Sequence, residues 1–207
     1  MKIKKIIIVT ALIGSLNSNA NDEISYSWVE VNYSKNGGNF FPQDVFTEEI
    51  FTLDGSFEIT DNLYISADVS KLNRLGLTYG VYDAFRYTDN SYGLALGFHN
   101  SISEKTDLYY ELGYRKLETA ISRNLDGAEF TFGSRTVLSP KFELITAIGY
   151  QDIKEIEPES LDINNFKGGF NFGVSGLYKI NNSSNIHLGF IKKDTETSPM
   201  IGYRFNW

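Results

Sequence analysis

The sequence offers few side chains for acid–base or nucleophilic chemistry. It has two histidines, His99 and His187, and no cysteine, so a thiol nucleophile and a thiolate metal site are both excluded. A histidine that acts as a general base needs an acid or a serine beside it, in a place that a substrate can reach. Both histidines lie in segments where apolar and polar residues alternate, and both are predicted on the polar face. We therefore interpret them as bonded interior histidines and predict no catalytic residue.

Carboxylates cluster in the segment from Asp152 to Phe166. Five acidic residues surround Lys154 there, namely Asp152, Glu155, Glu157, Glu159 and Asp162. Clustered carboxylates can bind a divalent cation, but an EF-hand also needs a glycine and a terminal ligand at fixed positions, which this segment lacks. The alternative is a solvated acidic loop. The sequence predicts no metal site and no cofactor.

A second set of charged residues recurs at alternate positions along the chain. It comprises seven acids and four bases on one predicted face: Glu30, Asp54, Glu58, Asp68, Glu111, Arg115, Glu129, Arg135, Glu143, Lys179 and Arg204. If this face lined a water-filled path, the acidic excess would favour cations. In a narrow lumen the same charges would neutralise one another and fill the interior. We favour the filled interior and keep the channel as the alternative.

Ten segments of period-two alternation position these side chains, and no segment shows convincing helical periodicity. The predicted strands are 24–34, 48–59, 63–71, 91–100, 106–117, 127–138, 142–152, 168–180, 185–193 and 199–207. Short turn-like links alternate with longer loops at 35–47, 72–90, 118–126, 153–167 and 194–198. This asymmetry is typical of a transmembrane barrel with both termini on one side. The fold prediction is an all-β, ten-stranded antiparallel transmembrane β-barrel, with eight strands as the alternative.

The two faces of the predicted strands differ sharply in charge. The apolar face carries no charged residue away from the strand ends, while the opposite face carries all eleven. A soluble, lipocalin-like barrel would show the same alternation with the apolar face inside. Glycines such as Gly93, Gly97 and Gly133 favour the membrane barrel, because they fit a crowded lumen but would weaken a strand facing water.

The amino terminus resembles an export signal. Lys2, Lys4 and Lys5 precede an apolar stretch from Ile6 to Leu16, and small residues lead to a predicted cleavage site after Ala20. A retained membrane helix is the alternative, but the stretch is too short to span comfortably. We predict a cleaved signal peptide at 1–20 and a single barrel domain at 21–207. The remaining 16 basic and 26 acidic residues give a net charge of −10, which argues against a nucleic-acid partner.

The carboxyl terminus alternates as well, and it ends on an aromatic residue. Gly202, Phe205 and Trp207 resemble the assembly signal of outer-membrane proteins, in which a glycine is followed at fixed spacing by two hydrophobic residues. Met200 departs from that signal, since a polar residue is usual there. The resemblance implies insertion by the barrel-assembly machinery.

The mature chain also resembles a small porin-like outer-membrane β-barrel family of xanthomonads and other proteobacteria, some members of which are described as quorum-sensing or immune-eliciting factors. The residues that carry the resemblance are Tyr26, Val29, Glu30, Tyr33, Gly55, Ser56, Asn62, Leu63, Thr106, Asp107, Leu108, Gly133, Arg135, Thr136, Glu143, Gly149, Tyr150, Asp152, Gly202, Arg204, Phe205 and Trp207. Trp28 stands where relatives tend to have tyrosine. The resemblance implies a Gram-negative envelope barrel and no particular reaction.

The sequence thus predicts a small integral outer-membrane protein that is not an enzyme. Its interior is largely filled, and its surface loops, chiefly 35–47 and 72–90, make external contacts. Expected partners are outer-membrane lipid, lipopolysaccharide, the barrel-assembly machinery and an external ligand at the loops. A narrow cation-favouring channel is the alternative, and a hydrolase using either histidine is the less favoured one.

Overall fold

The computed structural model describes residues 24–39, 44–78, 83–120, 124–155, 169–193 and 196–207. The predicted signal peptide lies outside these ranges. The described residues form ten β-strands: β1 (Trp28–Asn39), β2 (Asp44–Thr60), β3 (Leu63–Thr78), β4 (Asp83–Ser103), β5 (Thr106–Glu118), β6 (Asn124–Ser139), β7 (Phe142–Glu155), β8 (Gly169–Lys179), β9 (Ser184–Lys193) and β10 (Glu196–Asn206).

The strands close into one antiparallel barrel. Each strand pairs with its neighbours in the chain, and β1 pairs with β10 to complete the ring. That last seam runs from Trp28 opposite Asn206 to Ser34 opposite Met200. The prediction of a ten-stranded antiparallel barrel is confirmed, and the eight-stranded alternative is wrong.

The apolar face of the barrel points outward, as the segregation of charge predicts. Leu94 is 62% exposed and Phe190 is 60% exposed, although both lie in the middle of paired strands. The polar face points into the lumen, where Glu30 and Arg135 are buried. Such a distribution is the reverse of that in a soluble barrel, where the exposed positions would be polar. Within the described ranges, no helix is long and apolar enough to cross a membrane.

The two ends of the barrel differ in their connections. At one end, which we call the turn end, the links that follow Thr60, Ser103, Ser139 and Lys179 are short. β1 begins and β10 ends at this same end. The opposite end, the loop end, carries the links between β1 and β2, β3 and β4, β5 and β6, β7 and β8, and β9 and β10.

The strands extend further toward the loop end than the sequence predicts. The sequence predicts a loop at 72–90, but β3 continues to Thr78 and β4 starts at Asp83. Arg74, which falls in that segment, bonds Glu48 of β2 through its Nε at 2.6 Å. Residues 40–43, 79–82, 121–123, 156–168 and 194–195 lie outside the described ranges, and most of the acidic segment from Asp152 to Phe166 is among them.

The predicted first strand is also corrected at its start. The alternation predicts a start at Ile24, but β1 begins at Trp28. Residues 24–27 are not part of a strand. Ile24 and Tyr26 are instead buried with Tyr64, Tyr109 and Val137 in a hydrophobic cluster.

Two inward glycines have a clear packing reason. A Cβ atom added to Gly97 would lie 2.1 Å from the Tyr64 ring, and one added to Gly133 would lie 2.4 Å from the Tyr109 ring. Each tyrosine ring therefore lies over a glycine of a neighbouring strand, close against the wall. Both rings also belong to the buried cluster that contains Ile24 and Tyr26.

Candidate functional site in the barrel lumen

The predicted lumenal charges lie in three networks near the wall, together with two carboxylates and Lys179. The first network, at the seam between β1 and β10, centres on Glu30, which is 1% exposed. The Nε atom of Arg204 donates to Glu30 Oε2. His187 on β9 places its Nδ1 atom 2.5 Å from Glu30 Oε1. One carboxylate thus bonds two basic side chains, and we call this the seam network.

The seam network includes a serine that sequence reasoning missed. Ser175 Oγ lies 2.7 Å from His187 Nε2, so serine, histidine and glutamate follow one another in hydrogen-bond contact. Nucleophilic hydrolases use such an order, but they also need free N–H donors for the oxyanion. Ser175 pairs with Ile145 on one side and with Gly189 on the other, so the nearby backbone N–H groups belong to sheet ladders. The arrangement binds the strands together and leaves Ser175 without an oxyanion hole made of backbone N–H groups.

The second network lies nearer the loop end and centres on Arg115 of β5. Its guanidinium donates to Asp68 Oδ2 at 2.8 Å and to Asp68 Oδ1 at 2.7 Å, a bidentate pair. It also donates to Glu129 Oε2 at 2.8 Å and to Ser91 Oγ at 2.9 Å. We call this the Arg115 network. A Cβ atom at Gly93 would come within 2.2 Å of Asp68 Oδ1, so the pair needs a glycine there.

The third network lies near the turn end. Arg135 Nε donates to Glu143 Oε1 at 2.6 Å, and both side chains are buried. His99 Nε2 lies 3.2 Å from Glu58 Oε1, and His99 Nδ1 lies 3.7 Å from Asp107 Oδ2. Asp107 was not among the predicted lumenal charges. Its position as the second residue of β5, directly after a short turn, was the available signal. We call this the turn-end network.

The segment Ile24 to Ser27 passes inside this turn-end network, and sequence reasoning did not find it. The ring of Tyr26 stacks on His99, with 3.7 Å between centroids and 12° between planes. The Arg135 guanidinium carbon lies 4.6 Å from the centre of the same ring. Arg135 Nη1 also donates to the Ser25 carbonyl oxygen at 2.7 Å. The segment therefore joins side chains of β4 and β6 through the lumen, and we call it the stopper.

The sequence did contain a signal for the stopper. Val29, Val31 and Tyr33 set the outward phase of β1, and the even-numbered positions face inward. Ile24 and Tyr26 are apolar at those inward positions, as are Tyr64, Tyr109 and Val137 on other strands. An apolar residue in the inward phase indicates a buried lumenal contact rather than a lipid contact.

The ion pairs of the three networks follow the wall of the barrel. They join neighbouring strands, as in Arg204 with Glu30, or strands separated by one other, as in Arg115 with Asp68. The predicted charges therefore neutralise the wall without bridging the middle of the lumen. Lys179 is half-buried near the turn end, beside Asn185 of β9 in the register.

A cavity of about 420 Å³ lies between the turn-end network and the Arg115 network. Its lining includes Tyr26 and Arg135 at one extreme and Arg115 and Glu129 at the other. Two carboxylates on its wall have no basic partner in the described part of the chain. Asp54 Oδ2 accepts from Asn32 at 2.8 Å, and Glu111 Oε1 accepts from Ser66 at 3.2 Å. The cavity wall therefore carries two carboxyl groups that bond no basic side chain in the described ranges.

The described residues offer no other chemical site of the kinds considered from the sequence. No group of three or more His, Asp or Glu side chains among them could hold a metal ion. The residues of the assembly-signal resemblance lie on β10 and just after it. Phe205 and Trp207 point outward, and Gly202 points inward, where an added Cβ atom would lie within 1.9 Å of Asn32 Oδ1.

Known proteins match this chain in structure but not in sequence. No family model matches it, and no curated protein matches it. The translocator domain of autotransporter NalP from Neisseria meningitidis is similar with a TM-score of 0.51 at 9% identity, covering 99% of this chain and 94% of that one. The COG4313 outer membrane channel from Pseudomonas putida F1 gives 0.51 at 9% identity, covering 93% and 100%. The NanC porin gives 0.51 at 10% identity, covering 86% and 100%.

At these identities the matches establish the fold alone. The porin-like barrel predicted from the sequence is confirmed, and membership of the xanthomonad family stays a prediction. The chain has the fold of the outer-membrane β-barrels to which it is similar.

Proposed function

We propose that this chain is a small integral outer-membrane protein, is not an enzyme, and has a lumen closed at the turn end. The observation that carries the proposal is the stopper, because Tyr26 packs between the walls where the ion pairs leave the middle open. The outward apolar face supports membrane insertion. The short turns and both strand termini at one end support a periplasmic turn end.

Single-channel recording tests the closed lumen. Refolded protein inserted into planar bilayers should give no sustained, discrete conductance steps, because the aromatic and apolar side chains of the stopper leave no wet path. Folding is checked in the same preparation by heat-modifiable gel mobility. Regular conductance steps from correctly folded protein would show that the lumen is open.

The absence of an oxyanion hole supports a non-enzymatic protein. Ser175 is held by His187, but its strand is paired on both sides. A fluorophosphonate probe should leave Ser175 unlabelled in the folded protein, and Ser175→Ala should give the same result. Covalent labelling that disappears in Ser175→Ala and in His187→Ala would overturn the proposal.

The barrel-assembly machinery is the proposed partner of the carboxyl terminus. Phe205 and Trp207 project from the outer face, where a membrane-embedded factor can reach them. Removing Trp207 should reduce the fraction of protein inserted in outer membranes more than any lumenal substitution does. Immunoblots of separated membranes measure that fraction, and equal insertion with and without Trp207 would contradict the proposal.

Outer-membrane lipid and lipopolysaccharide are the proposed surroundings of the barrel, with external contacts made at the loop end. The length of β2, β3 and β4 supports this, because β4 has 21 residues whereas β9 has 10. Transmembrane strands need only about 9–11 residues, so the longer strands extend beyond the lipid. Deleting 79–82 should reduce binding of cells to an external partner and leave assembly unchanged, which surface-binding assays would detect.

A narrow cation-favouring channel is the second candidate, and the cavity supports it. The carboxylates of Asp54 and Glu111 face this space without a basic partner in the described part of the chain. A channel of this kind would show cation-favouring steps in wild-type protein. Glu111→Gln or Glu129→Gln would then reduce that preference.

A further inference from the structure

We propose that the stopper is removable, and that its displacement converts the closed barrel into a cation-conducting one. This inference rests on the proposed function, since it presupposes a barrel that is closed at rest. It depends on three features of the turn end: the hydrogen bonds that attach the stopper, the position of the wall side chains beside it, and the charged groups of the cavity next to it.

The stopper is attached differently from the strand that follows it. Trp28 and the residues after it bond β2 and β10 through the sheet. No described backbone-to-backbone hydrogen bond involves Ile24, Ser25 or Tyr26, and the bond that Ser25 makes across the lumen comes from the side chain of Arg135. Residues 24–26 of the stopper can therefore leave without opening any ladder of the barrel.

Ser27 marks the boundary between the stopper and the wall. Its hydroxyl accepts from the Glu58 backbone N–H at 3.1 Å, and its carbonyl accepts from the Trp207 N–H at 3.3 Å. These bonds fix the residue to β2 and to the end of the chain. Rotation of the backbone on the amino-terminal side of Ser27 would move Tyr26 while β1 stays in place.

The large side chains beside the stopper lie against the wall of the barrel. The Tyr64 and Tyr109 rings lie against Gly97 and Gly133, so their bulk is taken up by the neighbouring strands. The Arg135–Glu143 pair joins adjacent strands, as does the contact between His99 and Asp107. Once Tyr26 and Ile24 have gone, the described residues leave no other segment inside the turn end.

The path that opens would carry net negative charge. The cavity of about 420 Å³ reaches the stopper, since Tyr26 is part of its lining. Its wall presents Asp54 and Glu111 without basic partners in the described ranges, whereas Arg115 is shared by two carboxylates. Rings of acidic side chains favour cations over anions in a narrow pore.

A matched pair of substitutions at Tyr26 tests the role of the ring. Tyr26→Ala removes the stack on His99 and the contact with Arg135, so we expect frequent conductance steps. Tyr26→Phe keeps the ring and loses only the hydroxyl, which has no hydrogen-bond partner in the described structure, so it should stay closed like wild type. Equal conductance of the two variants would contradict a stopper that acts through its ring.

Deletion of residues 24–26, with Ser27 and the preceding sequence retained, is the stronger test. We expect steady steps at least tenfold more frequent than in wild type, with a reversal potential in a salt gradient that shows cation preference. Adding Glu111→Gln should shift that potential toward zero. A folded deletion variant that never conducts would contradict the removable stopper, but it would remain consistent with the proposed closed lumen. Conductance of the wild type itself would instead overturn the proposed function.

A labelling experiment covers the case in which the deletion variant does not fold. The chain has no cysteine, so Ile24→Cys introduces a single thiol and keeps the Tyr26 ring. Ile24 is 5% exposed. We expect slow reaction with a charged maleimide relative to the Asp61→Cys variant, because Asp61 is exposed in the turn between β2 and β3. Slow labelling that proceeds to completion in the folded state measures displacement of the stopper. Labelling as fast as in the Asp61→Cys variant would show that the segment does not rest in the lumen, and no labelling over many hours would show that it does not leave.

Discussion

The seam network and the Arg115 network use the same chemistry in different surroundings. In the seam network, the side chains of Glu30 and Arg204 are 1% and 6% exposed. In the Arg115 network, the side chains of Arg115 and Asp68 are each 20% exposed. Both arginines bond carboxylates on nearby strands. The difference in burial decides what each pair does, because the cost of an unpaired charge depends on how far water is excluded.

Both networks contribute to the cavity wall, through Arg204 and Arg115, but the seam network joins the first and last strands and its ion pair is more deeply buried. Removing one partner in the seam leaves a charge with little access to water. Removing one partner beside the cavity leaves a charge that water and ions can approach. The following predictions test this contrast, beginning with the largest expected effect.

Arg204→Ala should cause the largest loss of stability. It leaves Glu30 buried with only His187 as a basic partner, and it removes the bond across the β1–β10 seam. We expect the free energy of unfolding to fall by about 3–5 kcal/mol. Urea unfolding in phospholipid vesicles measures the change. The double variant Glu30→Gln with Arg204→Met should recover most of it, and a loss below about 1 kcal/mol for the single variant would contradict a buried seam charge.

Gly93→Ala should have an intermediate effect. A Cβ atom there would come within 2.2 Å of Asp68 and 2.8 Å of Arg115, so the pair must shift. We expect a loss of about 1–3 kcal/mol by the same unfolding measurement. Gly173→Ala is the matched control, because its added Cβ atom would have no neighbour closer than 4.0 Å. The control should change stability by no more than about 0.5 kcal/mol, and equal losses in the two variants would show that contact with the Arg115 network is not the cause.

Arg115→Ala should have the smallest effect of the three. Asp68 and Glu129 are left partly exposed to the cavity, where water screens their charge. We expect a loss of about 1 kcal/mol, declining as salt is raised. Measuring the free energy of unfolding of both proteins at low and at high salt tests the predicted dependence on salt. A loss as large as that of Arg204→Ala, with no dependence on salt, would remove the distinction between the two networks.

The sequence predicts the barrel correctly, but it underestimates how far the strands continue toward the loop end. Alternation of apolar and polar residues locates a strand only where one face meets lipid and the other meets the lumen. In the upper parts of β3 and β4, outward positions such as Lys71, Asn73 and Asn90 are polar, so the alternation is lost there. The alternation therefore predicts a loop there, yet the two strands pair residue by residue up to Thr78 opposite Asp83.

The candidate site shows a similar division. Phase alone indicated which charges face inward, because a change of one residue in register would place them in lipid. The alternation could not predict which side chains bond each other, because the partners are far apart in sequence. Arg115 bonds Asp68, 47 positions away, and Arg135 bonds the Ser25 carbonyl, 110 positions away. The stopper was missed for a local reason. Ile24 and Tyr26 continue the alternation of β1, although they are in the opposite phase.

The seam network has a consequence for how the barrel folds. Glu30 and Arg204 are separated by 174 positions, more than any other ion pair of the described residues. Contacts between distant positions slow folding, because the ends of a long loop must first be brought together. We therefore expect the β1–β10 seam to be the slowest strand pairing to form, and a variant that lacks β10 would leave β1 and β9 with unpaired edges.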